Sequence, residues 1–306
     1  HAQYSTAAQL GEQGEAIMAA PTASRELLRK LMSAPQIVGA PGAGDPLTAR
    51  LIESLGFGAV HVSGSIAHRT SGYSDAGILT MTEMVDRIAA IDAAVDLPLI
   101  TDADTGFGGA VNVVRTVKEY ERAGADAIHI EDQLTPKRPT YQGAAGAFIS
   151  TPEMVDKIRA ALDARTDENM IIIARCDIPD PQEKIERLQA CLEVGADVGW
   201  LSSHDAKGTL LLTEAFNGKP SLGVLPRTMT LQEYEAAGAS CAVMPGMLQI
   251  AALCAQRALL EVLNATGSAA GYLSTLPYIE EMTKYYGGQG NDELKRIEDA
   301  YSGVRP

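Results

Sequence analysis

The sequence predicts an α/β protein: one (β/α)8 barrel of the TIM type that carries extra C-terminal helices. Three observations predict it. Eight short apolar runs of strand length recur along the 306 residues, with amphipathic helical patterns between them. Many of these runs end in small or acidic residues, the pattern of a barrel whose strand ends share one polar rim. The glycine fingerprint of a doubly wound dinucleotide-binding sheet is missing. Gly39-Ala-Pro-Gly42-Ala-Gly44 has the wrong spacing, and Gly106-Phe-Gly108-Gly109 lacks the third glycine, so NAD is not an expected cofactor.

Taken in order, residues 1–23 read as a mobile arm rich in Ala, Gln and Glu, and residues 24–306 as the barrel domain with a helical extension from about 265. Ser24 is placed to cap an amphipathic helix over Arg25–Met32. The expected strands are Ile37–Ala40, Ala59–Ser63, Leu97–Asp102, Ala127–Glu131, Met170–Arg175, Val198–Leu201, Leu222–Leu225 and Ala242–Met244. Helical patterns fall over Leu47–Leu55, Met81–Val95, Val111–Ala123, Pro152–Ala164, Pro181–Val194 and Leu231–Ala237. Glycine stops at Gly124 and Gly195 end two of them. A long helix over Met247–Asn264 and shorter ones over Leu276–Tyr286 and Asp292–Tyr301 exceed what a barrel needs. That surplus predicts packing on a neighbouring subunit.

Composition excludes several classes. A net charge of −14 with no basic stretch argues against nucleic acid as a partner. The apolar runs are strand-sized and punctuated, so no membrane span is expected. Cys176, Cys191, Cys241 and Cys254 form no CxxC pair, which points away from zinc and disulfides and towards a reducing cytoplasm.

The chemistry collects in Leu97-Pro-Leu-Ile-Thr-Asp-Ala-Asp-Thr-Gly-Phe-Gly-Gly109. Asp102 and Asp104, two residues apart at a strand end, can present carboxylates to one point, a hard-oxygen site for a divalent cation. Capping and solvation are the competing reading. Other strand ends carry Ser63-Gly-Ser65 with Tyr73-Ser-Asp75 after it, Glu131-Asp132, and Arg175-Cys-Asp177. So many carboxylates on one rim require cations nearby, which favours the metal reading.

Thr101-Asp-Ala-Asp-Thr-Gly-Phe-Gly108, His129-Ile-Glu-Asp-Gln133, Ile173-Ala-Arg175 and Ser63-Gly64 resemble the isocitrate lyase / phosphoenolpyruvate mutase superfamily, from about Gly39 to about Asp177. The resemblance implies a Mg²⁺-dependent barrel (Mn²⁺ being the other metal considered) and a homotetramer that exchanges a C-terminal helix. It also implies chemistry at the carbon next to a 2-oxo acid. It makes Asp102 the metal ligand, with Asp104 and Glu131 holding metal-bound waters and Asp75 beside them. The Gly64 and Ser65 N–H groups with the Ser63 hydroxyl would bind the substrate carboxylate, and Arg175 the same end or a developing enolate.

The departures bear on the substrate. Lyases of the family carry Lys-Lys/Arg-Cys-Gly-His on a mobile loop; here it reads Lys137-Arg-Pro-Thr-Tyr141. Lys137 is thus expected on a gating loop, and Tyr141 is the candidate replacement for the lost acid–base cysteine. Asp132-Gln-Leu-Thr-Pro136-Lys137 matches the mutase loop, Asp-Lys-x-Phe-Pro-Lys, only in part. Leu201-Ser-Ser203 stands where the lyases have a glutamate, and Val224-Leu-Pro-Arg227 where they have Asn-x-Thr-Glu. Trp200, Val224 and Leu225 then read either as walls for a larger, more apolar substrate half or as barrel core. His61 replaces the family tyrosine, as a substrate contact or as a satisfied buried histidine. His68-Arg69 reads as an anion contact or a solvated loop, and Cys176 as packing rather than a nucleophile. The expected protein is a cytoplasmic Mg²⁺-dependent carbon–carbon lyase that acts on a small 2-hydroxy carboxylic acid. Oxaloacetate decarboxylase or 2-oxo acid hydrolase chemistry is the enzymatic alternative, and a non-catalytic metabolite-binding barrel the other.

Overall fold

The computed structural model describes residues 21–137, 147–288 and 291–301. The chain begins with α1 (Pro21–Ser33), β1 (Val38–Ala43), α2 (Pro46–Ser54), β2 (Val60–Val62), α3 (Gly64–Thr70) and α4 (Met81–Asp92). It continues through β3 (Leu99–Asp102), α5 (Ala110–Arg122), β4 (Ala127–Glu131), α6 (Thr151–Ala164), β5 (Ile171–Arg175) and α7 (Pro181–Glu193). Then come β6 (Val198–Leu201), α8 (Ala206–Ala215), β7 (Ser221–Val224), α9 (Leu231–Ala236) and β8 (Cys241–Met244). The last helices are α10 (Met247–Thr266), α11 (Ala270–Leu273), α12 (Ile279–Gly288) and α13 (Asn291–Tyr301). The eight strands close in sequence order, and β1 pairs with β8 in parallel.

The helix starts are written in the sequence. Asp45, Ser150, Asp180 and Asp205 each accept a backbone N–H in the first turn of α2, α6, α7 and α8. Thr80 with Glu83 and Thr230 with Glu233 form complete capping boxes on α4 and α9. Gly124 stops α5 at φ +97°, a left-handed turn, and a Cβ there would run into the Asp92 carboxylate. Ser24, the expected cap, lies inside α1, because that helix starts at Pro21.

Inward side chains from alternate strands stack in layers, as closure of eight tilted strands requires. Ala59, Ala127, Val198 and Cys241 make one layer, and Ala40, Ile100, Ile173 and Leu222 the next. Above them lie His61, His129, Trp200 and Val243. The layer at the C-terminal mouth is Gly42, Asp102, Arg175 and Val224, in agreement with the strand register. Leu28, Leu31 and Met32 of α1 join the interior cluster with Val38, and Arg25 donates to the carbonyls of Glu121 and Ala125. This helix closes the end of the barrel opposite the mouth.

The chain divides into two compact units, residues 1–248 and 249–306. In the second, α10 has no buried residue, and Ile250, Leu253 and Leu260 are exposed. Among the described residues no helix is long and apolar enough to cross a membrane.

Near the closed end, Asp126 accepts the Leu99 N–H at 2.7 Å. Burial, the largest influence, pushes its carboxyl up to about 7. A carboxyl raised in the folded state favours folding below its ordinary range, and that advantage is lost as pH rises through about 7. Asp126→Asn stays neutral throughout and keeps an acceptor for Leu99. It is expected to melt like the parent near pH 4 and to be more stable by up to about 4 kcal/mol near pH 8, as read by thermal melts at the two pH values.

Candidate active site

The mouth-facing ends of β3, β4 and β5 bring Asp102, Glu131 and Arg175 together, and the segments after them add Asp104, Lys137 and Asp177. Asp102 ends β3. Its carboxylate accepts the Gly64 N–H at 3.0 Å on Oδ2 and the Asp104 N–H at 2.9 Å on Oδ1. Burial opposes its ionisation, but His129, Lys137, Arg175 and the Asp104 N–H outweigh burial and hold it well below the usual range.

Asp104 reaches the cluster by a different route from the one its spacing predicts. It stands beyond the end of β3 in a left-handed conformation, φ +47°. This turn, rather than strand alternation, returns its N–H to Asp102 and aims its carboxylate at Lys137, 3.1 Å away. Lys157 donates to the Thr105 carbonyl and Tyr120 to the Asp102 carbonyl, fixing the turn from α6 and α5.

Glu131 is fully buried, 3.1 Å from Arg175 Nη1 and 3.3 Å from Lys137 Nζ. Burial raises its carboxyl to about 8 against the pull of these two cations. Lys137 also lies 3.3 Å from Asp75, so one ammonium meets three carboxylates. Burial would discharge it, yet Glu131 and Asp104 keep it charged. Arg175 donates from Nε and Nη2 to Asp177 at 3.1 and 2.8 Å, and its guanidinium lies 4.9 Å from the Trp200 ring centroid.

Asp177 is itself anchored. Its N–H donates to Asp132, which also accepts from Arg187 and from the Cys176 thiol. Cys176 is thus a buried hydrogen-bonding packing residue, and burial raises its thiol. Of these supports, Arg187, Lys157 and Tyr120 gave no signal beyond helix-face packing. His129 lay inside a quoted motif without receiving a role.

Four of the expected contact residues, Gly64, His68, Trp200 and His61, are placed differently. The Gly64 N–H is engaged by Asp102 and is not free for a substrate carboxylate. Ser63 and Ser65 lie beside it at the start of α3, their hydroxyls 3.1 Å apart. His68 is neither an anion contact nor a solvated loop residue. It is 1 % exposed, its Nδ1 meets the Gly64 carbonyl, and its Nε2 accepts the N–H groups of Ile78 and Leu79. Trp200 and His61 stand in the layer below the mouth, 4 % and 2 % exposed. Tyr141 lies outside the described residues.

The donor set suits a divalent cation. Asp102, Asp104 and Glu131 are all buried and can place one carboxylate oxygen each within 4.8 Å of one another. Five carboxylates (Asp75, Asp102, Asp104, Glu131, Asp177) face two cations (Lys137, Arg175), a formal excess of three negative charges. Oxygen-only ligands favour a hard ion such as Mg²⁺ or Mn²⁺.

The profile of the phosphoenolpyruvate phosphomutase family matches residues 28–264. The chain belongs to this family. It is 37% identical to a 2,3-dimethylmalate lyase of Eubacterium barkeri over 90% of this chain and 97% of that one. It is 42% identical to a 2-methylisocitrate lyase of Vibrio cholerae, over 51% of this chain and only 52% of that one. A phosphonopyruvate hydrolase solved with oxalate and Mg²⁺ superposes with a TM-score of 0.81 at 30% identity, covering 91% of this chain and 99% of the other. The protein is therefore an enzyme of the isocitrate lyase / phosphoenolpyruvate mutase superfamily, whose named relatives include lyases.

Gly64 holds Asp102 by backbone alone, and a Cβ there would lie 2.8 Å from Asp102 Oδ2. Gly64→Ala is expected to push that carboxylate aside and weaken Mn²⁺ binding by about tenfold or more. Calorimetry reads the affinity, and an unchanged circular dichroism spectrum confirms the fold.

Proposed function

We propose that the protein is a Mg²⁺- or Mn²⁺-dependent carbon–carbon lyase. It cleaves a branched 2-hydroxy dicarboxylic acid of the substituted-malate type into pyruvate or glyoxylate and a second carboxylic acid. One observation carries the reading: near-full-length similarity to a 2,3-dimethylmalate lyase combined with a converged Asp102, Asp104, Glu131 and Arg175.

In this reading Asp102 holds the metal, and Asp104 and Glu131 hold it directly or through its waters. A bound divalent ion supplies Lewis acidity for the 2-oxygen and the adjacent carboxylate. Arg175 is placed to meet the same end of the substrate, and its pairing with Asp177 fixes the direction of its remaining N–H groups. The Ser63 and Ser65 hydroxyls serve the substrate carboxylate. Asp75, paired with the Lys137 ammonium, stands ready to take the 2-hydroxyl proton as the carbon–carbon bond breaks and the 2-oxo group forms. The leaving carbanion takes a proton, for which Tyr141 is the candidate donor.

The missing loop cysteine favours a second reading, hydrolase or decarboxylase chemistry on oxaloacetate, in line with the phosphonopyruvate hydrolase likeness. We place the enzyme in the cytoplasm. We also propose a homotetramer in which the C-terminal helices cover a neighbouring subunit, which would account for the exposed leucines of α10.

An NMR panel of 2,3-dimethylmalate, methylisocitrate, isocitrate, oxaloacetate and phosphonopyruvate tests the function. Pyruvate release from 2,3-dimethylmalate, stopped by EDTA, is the expected result. Arg175→Lys should lower kcat/KM by about a hundredfold or more. Turnover of oxaloacetate alone would replace the lyase reading with the second one. Sedimentation equilibrium should give four times the chain mass, and a monomer would remove the assembly proposal.

A further inference from the structure

His61 and His129 sit beneath the site with their Nε2 atoms 3.3 Å apart and ring centroids 5.5 Å apart. His129 presents its other nitrogen, Nδ1, to Asp102 Oδ1 at 3.5 Å. Both Nδ1 atoms are buried without a formed hydrogen bond, but that of His129 faces the Asp102 carboxylate at 3.5 Å whereas no such acceptor is recorded for that of His61.

An Nε2–Nε2 contact of 3.3 Å is a hydrogen bond with one proton in it, so one ring donates there and the other accepts. If His129 donates, His61 must carry its own proton on Nδ1, a buried donor with nothing to receive it. The bare Nδ1 of His129 would then face a carboxylate, lone pair against negative charge. If His61 donates, the unpartnered His61 Nδ1 is a bare acceptor, and His129 turns an N–H towards Asp102. Buried N–H groups are rarely left without acceptors, and unmet acceptors are tolerated more readily. The two independent observations at opposite ends of the pair select the same assignment.

We infer that His61 is a positioning residue: its Nε2–H donates to His129 Nε2 and holds the His129 ring so that Nδ1–H faces the Asp102 carboxylate. This rests on the reading of Asp102 as the metal ligand. The chain runs in one direction, from His61 to His129 to Asp102. It works together with the Gly64 and Asp104 N–H groups, which already fix both oxygens of the same carboxylate. An imidazole N–H turned to a ligand's oxygen fixes which lone pairs are left for the ion. Trp200, its ring 4.7 Å from that of His129, packs the remaining side. The side-chain hydrogen-bond contact recorded for His61 is the one with His129, and its positioning effect passes through that ring.

Neutron diffraction from the deuterated protein reads the chain without any metal. Deuterium is expected on His61 Nε2 and His129 Nδ1, with none on His61 Nδ1; density on His61 Nδ1 or His129 Nε2 overturns the inference. Calorimetric Mn²⁺ affinity then separates hydrogen bonding from filled volume. His61→Phe fills the space without a donor and should weaken binding by about tenfold. His61→Gln keeps a terminal N–H and should restore most of it. Equal affinity in wild type and His61→Phe overturns the positioning role, as does equal loss in both variants. A wild-type protein that binds no Mn²⁺ overturns the reading of Asp102 as a ligand and with it the role towards the ion. The neutron map still decides the proton positions independently.

Discussion

Everything at the mouth of this barrel depends on one electrostatic constraint: more carboxylates than cations are packed where water is scarce. Buried like charges repel strongly and each has lost its hydration, so the fold must supply opposing charge or oriented donors for every one. It does so unevenly. Asp102 receives two backbone N–H groups and remains ionised, whereas Glu131 receives only ionic contacts and is pushed up. Lys137 is shared among three acids. A doubly charged ion would relieve the residual excess, which makes the site's composition and its proposed chemistry parts of one argument.

That constraint also accounts for the supporting layers. Arg175 can oppose Glu131 only if its fork is fixed, and Asp177 fixes it. Asp177 depends on Asp132, and Asp132 on Arg187 and the Cys176 thiol. Each partner repeats the same requirement one step further from the mouth, until the charges end in the packed shell between barrel and helices. Below Asp102 the same logic runs through His129 and His61, whose rings provide direction.

The repeat of strand and helix was legible because apolar period and capping residues agree. β4 and β6 fall at the bounds read from the sequence, and the eight-strand order follows. Where local signals conflict, legibility fails. β1, Val-Gly-Ala-Pro-Gly-Ala, looks like a loop after its first residues, yet pairing with β8 as far as Pro41 and with β2 at Gly42 and Ala43 extends it to Ala43. α8 carries a glycine and three consecutive leucines, which blur its helical period, and α3 is too short to show one. In the site, strand-end position revealed Asp102, Glu131 and Arg175. The convergence of Asp104 came from a positive-φ turn that no alternation rule contains. Partnerships such as Arg187 with Asp132 join residues 55 apart in sequence and exist only through the fold.

The charge occupies only half of the mouth. β3, β4 and β5 end in Asp102, Glu131 and Arg175, whereas β6, β7 and β8 end in Leu201, Val224 and Met244. In the proposed reaction a 2-hydroxy acid would set its carboxylate and hydroxyl against the charged half, because there, among the described residues, cations and oxygen ligands converge. Its second fragment then faces the neutral half, where Val224 is 40 % exposed and Trp200 lies one layer beneath. Of these three only Val224 faces the mouth, since Leu201 and Met244 pack in the shell between strands and helices, and none of them provides a cation for a second carboxylate. A dicarboxylic substrate must therefore draw the partner for its far end from beyond the strands, and Arg227, exposed three residues after Val224, is the described cation that the β7 loop offers. In the proposed lyase, discrimination between substituted malates and shorter 2-oxo acids would therefore fall to the loops after β6 and β7, and recognition of the acid end to the packed charges of β3 to β5.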